Sequence, residues 1–306
     1  MKPAISVIIC THNPRHNYLD KVLAALKSQT LQFEQWELLL IDNASEKLLS
    51  SEIDISWHPQ SSHIREEQLG LTPARLRGIR EAKAESLIFV DDDNVLDSDY
   101  LEVALRISKD YPFIGAWGGQ IKPNFEVTPP DWTKPYWKWL AIREFEQDKW
   151  SNSVNQYETT PCGAGLCVRK IVAEEYAELI CNDPKRLNLD RKGKLLVSGG
   201  DSDLAFTACD IGLGTGNFAS LKLTHLIPAS RLEEEYLIRL MEGMVYSHII
   251  LHYFRGEIPK LPSFSWRSKL YEFYRLWRKS PRDRRFYRAE QRGMSLAIQT
   301  LLKTKE

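Results

Sequence analysis

The chain has 306 residues, 27% of them charged and 43% hydrophobic, with 16 glycines and 15 prolines. That make-up is of a soluble globular protein and excludes collagen-like and low-complexity architectures. Its 41 Lys and Arg balance 41 Asp and Glu, which excludes a generic nucleic-acid binder, yet Trp266 to Glu306 holds 12 basic and 4 acidic residues, a net of +8 that leaves −8 on the remainder.

In chain order, Ile5 to Cys10 is a nearly continuous apolar run, as expected of a strand buried on both faces. Leu19, Val22, Leu23 and Leu26 recur at helical spacing and predict a helix over 17–29. A second apolar run, Trp36 to Ile41, ends at Asp42-Asn43, and a weaker strand is expected over 53–57. Pro73 suits the start of a helix running to Ala84. Leu87 to Val90 is the third strong strand, followed at once by Asp91-Asp92-Asp93. This alternation predicts an α/β fold, a mostly parallel twisted sheet flanked by helices. Ligands of such sheets gather beyond the carboxyl ends of the strands, where Thr11, Asp42 and Asp91 fall.

Beyond residue 112 the expectations are a strand over 113–121, a long Trp-rich irregular segment over 129–150, and a strand over 163–168 leading to a helix over 171–180. Asp190-Arg191-Lys192-Gly193-Lys194 reads as a turn between short strands, and Ser198-Gly199-Gly200-Asp201 as a loop before a helix over 203–211. From Arg231 onward the pattern is helical. The expected division is an α/β domain over 1–230 and a helical, basic extension over 231–306. Cys10, Cys162, Cys167, Cys181 and Cys209 lack zinc-site spacing and read as free thiols in a reducing compartment. The first apolar run is too short for a signal-peptide core, and no stretch reaches the roughly 18–20 apolar residues of a membrane span. A cytoplasmic location is expected.

The sharpest chemical feature is the acidic triplet after a buried strand. Asp91 and Asp93 can face one loop site, where like charges repel unless a cation or donor compensates, and such oxygen ligands suit Mg²⁺ or Mn²⁺ shared with substrate phosphates. The alternative is a solvated acidic turn. Thr11-His12-Asn13-Pro14-Arg15 and Asp42 add donors and acceptors at the same edge, either for a ribose or base or as turn formers and caps. Arg65 and Arg75 are candidates to offset phosphate charge.

Together these residues resemble the family 2 inverting glycosyltransferases. The resemblance rests on Ile5-Ser6-Val7-Ile8-Ile9-Cys10-Thr11-His12-Asn13, Ile41-Asp42-Asn43, and Gly70-Leu71-Thr72-Pro73-Ala74-Arg75 with Gly78. It continues through Asp91-Asp92-Asp93, Gly163-Ala164-Gly165-Leu166 before Arg169, and Gly199-Gly200-Asp201-Ser202-Asp203-Leu204. It spans roughly residues 4 to 230 and implies a GT-A type, nucleotide-diphospho-sugar transferase fold. By resemblance, Thr11, His12, Asp42, Arg65, Arg75, Asp91 and Asp92 hold the nucleotide-sugar, probed first as a UDP-sugar. Asp93 ligates Mn²⁺ or Mg²⁺, with Asp91 sharing the ion. Asp201 fills the place of the catalytic base, where the family often writes Gly-Glu-Asp and this chain has Gly199-Gly200-Asp201. Asp201 as a helix N-cap is the structural alternative, and Asp203 is the nearest other carboxylate on the acceptor side.

His225 after a short apolar strand is either a further metal ligand or a hydrogen-bonded core histidine. Trp132 and Trp137 are candidates for an acceptor lid, since aromatic faces stack on sugars and equally anchor loops. The basic tail interleaves aromatics with its charges. It suits either an anionic bilayer bearing lipid-linked acceptors or packing against the acidic body. The family's Gln-any-any-Arg-Trp motif of processive members is absent, which implies a non-processive transferase making polysaccharide or glycoconjugate. The rivals are a sugar-phosphate nucleotidyltransferase and an inactive glycan- or nucleotide-binding protein.

Overall fold

The computed structural model describes residues 2–154, 156–191, 196–257, 274 and 276–303. Its strands are β1 Ile5–Thr11, β2 Trp36–Asn43, β3 Ser61–Glu66, β4 Ser86–Val90, β5 Asn94–Leu96, β6 Ile114–Phe125, β7 Lys149–Ser151, β8 Leu166–Arg169 and β9 Gly214–Ile227. Its helices are α1 His16–Lys27, α2 Leu71–Glu81, α3 Tyr100–Asp110, α4 Lys170–Asn182, α5 Gly200–Asp210, α6 Glu234–Phe254 and α7 Pro281–Lys303. The strands form one sheet in the order β3-β2-β1-β4-β8-β6-β9-β5, with β7 also on β9. β1 pairs in parallel with β2 and β4, β2 with β3, and β6 with β9, while β8, β5 and β7 run antiparallel to their neighbours.

Alternation along the central strands builds two core layers. Ile5, Val7 and Ile9 of β1 join Leu19, Val22 and Leu26 of α1 and Leu101, Ala104 and Ile107 of α3. Ile8 turns to the opposite face, with Ala74 and Ile79 of α2, Val172 and Tyr176 of α4, and Leu204 and Ala208 of α5. Both faces are therefore covered, which is why β1, β2 and β4 read as unbroken apolar runs. From β1 the chain winds outward to β2 and β3, then returns to β4 on the other side. The switch point lies between the carboxyl ends of β1 and β4, where an α/β sheet opens a ligand crevice.

Several expectations change. The strand expected over 53–57 is absent, because Leu49–Ser51 forms a 3-10 turn and Ile53 and Ile55 fill the core from a loop. The strand there is β3, polar in sequence because it lies at the sheet edge. Part of the irregular Trp-rich segment, Asp131–Leu140, is 3-10 helical, closed by Ala141 at φ 58°. α5 begins at Gly200, so Asp201 sits inside its first turn rather than before it. The Asp190 to Lys194 turn lies partly outside the described residues, as do Trp266, Tyr271 and Phe273 of the tail.

The chain divides into two units, Met1–Leu187 with Gly200–Ala229, and Asn188–Gly199 with Ser230–Glu306. The first break after residue 187 gave no sign in composition. In the second unit α6 and α7 pack together, with Gly293 of α7 so close to Glu242 that an added Cβ would lie 2.4 Å from its carbonyl oxygen. Among the described residues no helix is long and apolar enough to cross a membrane.

Candidate active site

Site residues collect at the switch point. At the end of β1, the Thr11 hydroxyl donates to Asp92 Oδ2, tying the first strand to the acidic turn after β4. His12 Nδ1 lies 2.8 Å from the Asn43 carbonyl oxygen, and Asn13, at φ 47°, donates its backbone N–H to Ser45 Oγ at 3.0 Å. Asp42, ending β2, accepts from the Ser45 and Leu49 N–H groups at 3.0 and 3.2 Å and from Arg65 Nη1 at 2.8 Å. Burial raises the Asp42 carboxyl, but these donors outweigh it and hold the group below its ordinary value. Arg65 thus serves Asp42 and the Ser45 carbonyl, at 3.0 Å, and braces the rim of the crevice.

The acidic turn is not simply solvated. Asp93 is buried, accepts from Asn94 Nδ2 at 2.9 Å, and takes the Leu226 N–H of β9 on its carbonyl at 2.8 Å. β5 pairs Asn94 opposite His225, so register brings the imidazole to the carboxylate, with Nε2 3.4 Å from Asp93 Oδ2. The other ring nitrogen, Nδ1, lies 3.0 Å from the Leu140 carbonyl oxygen. A carbonyl accepts only from N–H, so Nδ1 donates to Leu140 and Nε2 is the ring atom that faces Asp93. A carboxylate oxygen and an imidazole nitrogen side by side are donors of the kind that hold a divalent cation. Among the described residues no three His, Cys, Asp or Glu groups converge on one point, so further ligands would come from substrate oxygens. Burial and then the charge of Asp93 push Asp91 up to about 7, with Asp92 adding to them, while Arg75 and His225 pull it down. Burial is the larger cause of that rise, and the neighbouring carboxylates add to it.

Across the site, Asp201 Oδ2 accepts the Gly163 N–H at 2.7 Å, and Oδ1 accepts the Ser202 N–H at 2.8 Å. A Cβ on Gly163 would meet Arg75 Nη2 at 2.9 Å and Asp201 Oδ2 at 3.2 Å, so glycine is what lets the two side chains flank this loop. Arg75, on α2, is 3% exposed. The Gly-Ala-Gly loop, the acidic turn, α2 and α5 therefore meet at one place.

Asp203 is corrected by the structure. It is fully buried, and both its oxygens accept from Arg186 Nη1 at 2.7 and 2.8 Å. That carboxylate stabilises the Arg186 segment and is turned away from any acceptor. Trp137 is anchored, donating from Nε1 to Thr133 Oγ1 at 3.1 Å and lying 5.0 Å from Phe125. Trp132 lies edge-on to Tyr136 at 6.3 Å. Both are half-buried, and the segment reaches the site through the Leu140 carbonyl on His225. Sequence reasoning missed Asn94, the Gly163 N–H and that carbonyl. Only Asn94, beside the triplet, left a signal.

Comparison with known proteins agrees with this geometry. The family model described as glycosyl transferase family 2 matches residues 6–168. Over 111 residues the chain is 28% identical to the putative glycosyltransferase EpsH of Bacillus subtilis, covering 35% of this chain and 31% of that protein. It is 32% identical over 103 residues to the glycosyltransferase AglE of Haloferax volcanii, covering 33% and 34%. A glucosyl-dolichyl phosphate glucuronosyltransferase of the same organism is 22% identical over 140 residues, 45% and 44% of the two chains. The matched segments thus span about a third to under half of these relatives' lengths. Among solved structures, S. aureus TarS aligns with TM-score 0.54 and 15% identity over 89% of this chain and 46% of that one. TarS 1–349 in complex with UDP-GlcNAc aligns with TM-score 0.53 and 14% identity over 82% and 67%. At such identity the likeness shows the fold, and with the family model covering more than half of the chain, this protein belongs to glycosyl transferase family 2.

Proposed function

We propose that this chain transfers one sugar from a nucleotide-sugar, of the uridine diphosphate class, to a hydroxyl acceptor with inversion, using a divalent cation. The observation that carries the reading is Asp201 Oδ2 held by the Gly163 N–H at 2.7 Å, beside Arg75 and the acidic turn at the switch point. The donor class is supported by the fold's likeness to a protein solved with UDP-GlcNAc. A lipid-linked acceptor is supported by a relative whose name includes dolichyl phosphate.

Asp93 and His225 would hold Mn²⁺ or Mg²⁺, which when bound offsets the charge building on the departing diphosphate. Arg75 adds a second, fixed positive charge near Asp91. Thr11, His12 and Asp42 shape the nucleoside end of the crevice. Asp201 accepts the proton of the attacking hydroxyl, and its two backbone N–H partners fix the carboxylate for that role. A single displacement needs no second carboxylate as nucleophile.

The test is a donor screen across nucleotide-sugars with Mn²⁺ or Mg²⁺, followed by Asp201→Asn. The variant keeps one acceptor oxygen for the two N–H groups and loses the basicity, so it should stay folded at a cost of about 1–3 kcal/mol and retain its donor affinity by calorimetry. Transfer should drop by at least about a hundredfold. Transfer within a few-fold of wild type would move the base elsewhere.

A further inference from the structure

Arg143 was invisible in the sequence, and no role in the reaction described above uses it. Its backbone exchanges both hydrogen bonds with Ile121 of β6, the N–H of Ile121 reaching the Arg143 carbonyl at 2.8 Å and the reverse bond measuring 3.1 Å. The side chain is therefore launched from a fixed point. Nη1 donates to the Thr160 carbonyl at 2.5 Å, and the guanidinium lies 4.5 Å from the centre of the Tyr157 ring. Nε is sealed from solvent and meets no acceptor. Among the described residues no carboxylate lies within ion-pair distance of Arg143; burial works against its charge, while Cys162, Tyr157 and Asp201 favour it, Tyr157 also by a side-chain hydrogen bond. A desolvated guanidinium is costly unless an anion meets it, and its planar fork matches carboxylate or phosphate oxygens.

We propose that Arg143 determines acceptor specificity by receiving an oxyanion, phosphate or carboxylate, carried by the acceptor next to the hydroxyl that Asp201 deprotonates. The proposal rests on Asp201 as the base. The fixed cation lets a negatively charged acceptor approach Asp201 without facing its charge alone. A neutral acceptor would leave the guanidinium charge without a counter-anion, which is how a polar site rejects the wrong ligand.

Three probes share one scaffold: glycerol 3-phosphate, glycerate and glycerol. Each is titrated by ligand-observed NMR into the intact protein saturated with UDP and Mn²⁺, so that the diphosphate subsite is filled. The expected result is binding of one or both anions and none of glycerol, with the preferred anion naming phosphate or carboxylate as the group. Arg143→Gln should weaken anion binding at least about tenfold, with Arg143→Lys between the two because it keeps the charge and loses the fork. Circular dichroism checks that each variant is folded. If Arg143→Gln does not fold, Arg143→Lys still tests the proposal, through weakened anion binding. Equal binding by wild type and a folded variant, or no binding of either anion, would overturn the proposal. UDP binding measured on the same sample separates the two readings: UDP bound without anions removes this inference alone, and no UDP binding removes the uridine diphosphate donor on which the proposed function rests.

Discussion

At the scale of single residues, the carboxylates to which we assign chemistry stand beside others that hold the frame. Asp42 and Asp203 are saturated by donors, three groups on the first and Arg186 on the second. Asp201 instead accepts backbone N–H groups, from Gly163 on Oδ2 and from Ser202 on Oδ1, and Asp93 sets Oδ2 beside His225. Sequence alone could not sort them, because the letter Asp is the same whether it pairs with an arginine 17 or 23 residues away or lies at an open edge. The histidines divide likewise. His58 is 1% exposed, accepts the Gln60 N–H on Nδ1 at 3.1 Å, and is ringed by Phe33, Trp36 and Trp57. Burial pulls it from 6.5 down to about 4. Between these values the unfolded chain binds a proton that the folded chain refuses, so stability is full above the upper value and falls as pH drops toward the lower. The slope is about 1.4 kcal/mol per pH unit per proton. Denaturant unfolding followed by tryptophan fluorescence at about pH 7 and about pH 4.5 should show a smaller acid loss in His58→Gln than in wild type. His63 and His248, also lowered by burial, act equally in both proteins, so identical losses would reject the role of His58.

At the scale of elements, legibility followed burial. β1, β2 and β4 announced themselves because both faces are covered, and the acidic turn after β4 came with them. β3 did not, since an edge strand carries polar residues, and the apolar Ile53 and Ile55 beside it are core residues of a loop. The segment over 131–140 escaped because its prolines and tryptophans follow no helical or strand period, though it supplies the carbonyl that orients His225. Gly78 shows how an element is set by one absent side chain. A Cβ there would lie 2.5 Å from Ile8 Cγ2, so glycine lets α2, which carries Arg75, sit flush on β1. Gly78→Ala should cost about 1–3 kcal/mol by overpacking and, by lifting Arg75, weaken UDP binding measured by calorimetry. Ile8→Ala in the same chain should restore part of both. Losses that simply add would place the effect outside this contact.

At the scale of the whole molecule, charge is sorted along the chain, with the +8 of its last 41 residues set against −8 elsewhere. Part of that excess is answered within the second unit. Arg282 and Arg285 pair with Glu234 at 3.0 and 2.7 Å, Arg285 also reaches Glu235, and Arg292 pairs with Glu242 at 2.9 Å. Composition showed the excess but not these partners, which lie some 50 residues earlier in the chain. The pairs are exposed, and each contributes only about 0–1 kcal/mol to stability. Their larger consequence is to mask positive charge that an anionic bilayer would otherwise attract. Replacing Glu234, Glu235 and Glu242 together by Gln should therefore leave the melting temperature nearly unchanged while strengthening sedimentation with phosphatidylserine vesicles. Each arginine unmasked near the surface is worth about 1 kcal/mol, and the gain should fade as salt shortens the reach of the charges. Two results bear on the idea differently. Sedimentation that rises in the variant and falls with salt shows that α6 restrains the basic face of α7. Sedimentation unchanged from wild type at low salt would mean that these arginines do not govern contact with a membrane, and the basic count of the tail would lose its claim to that role.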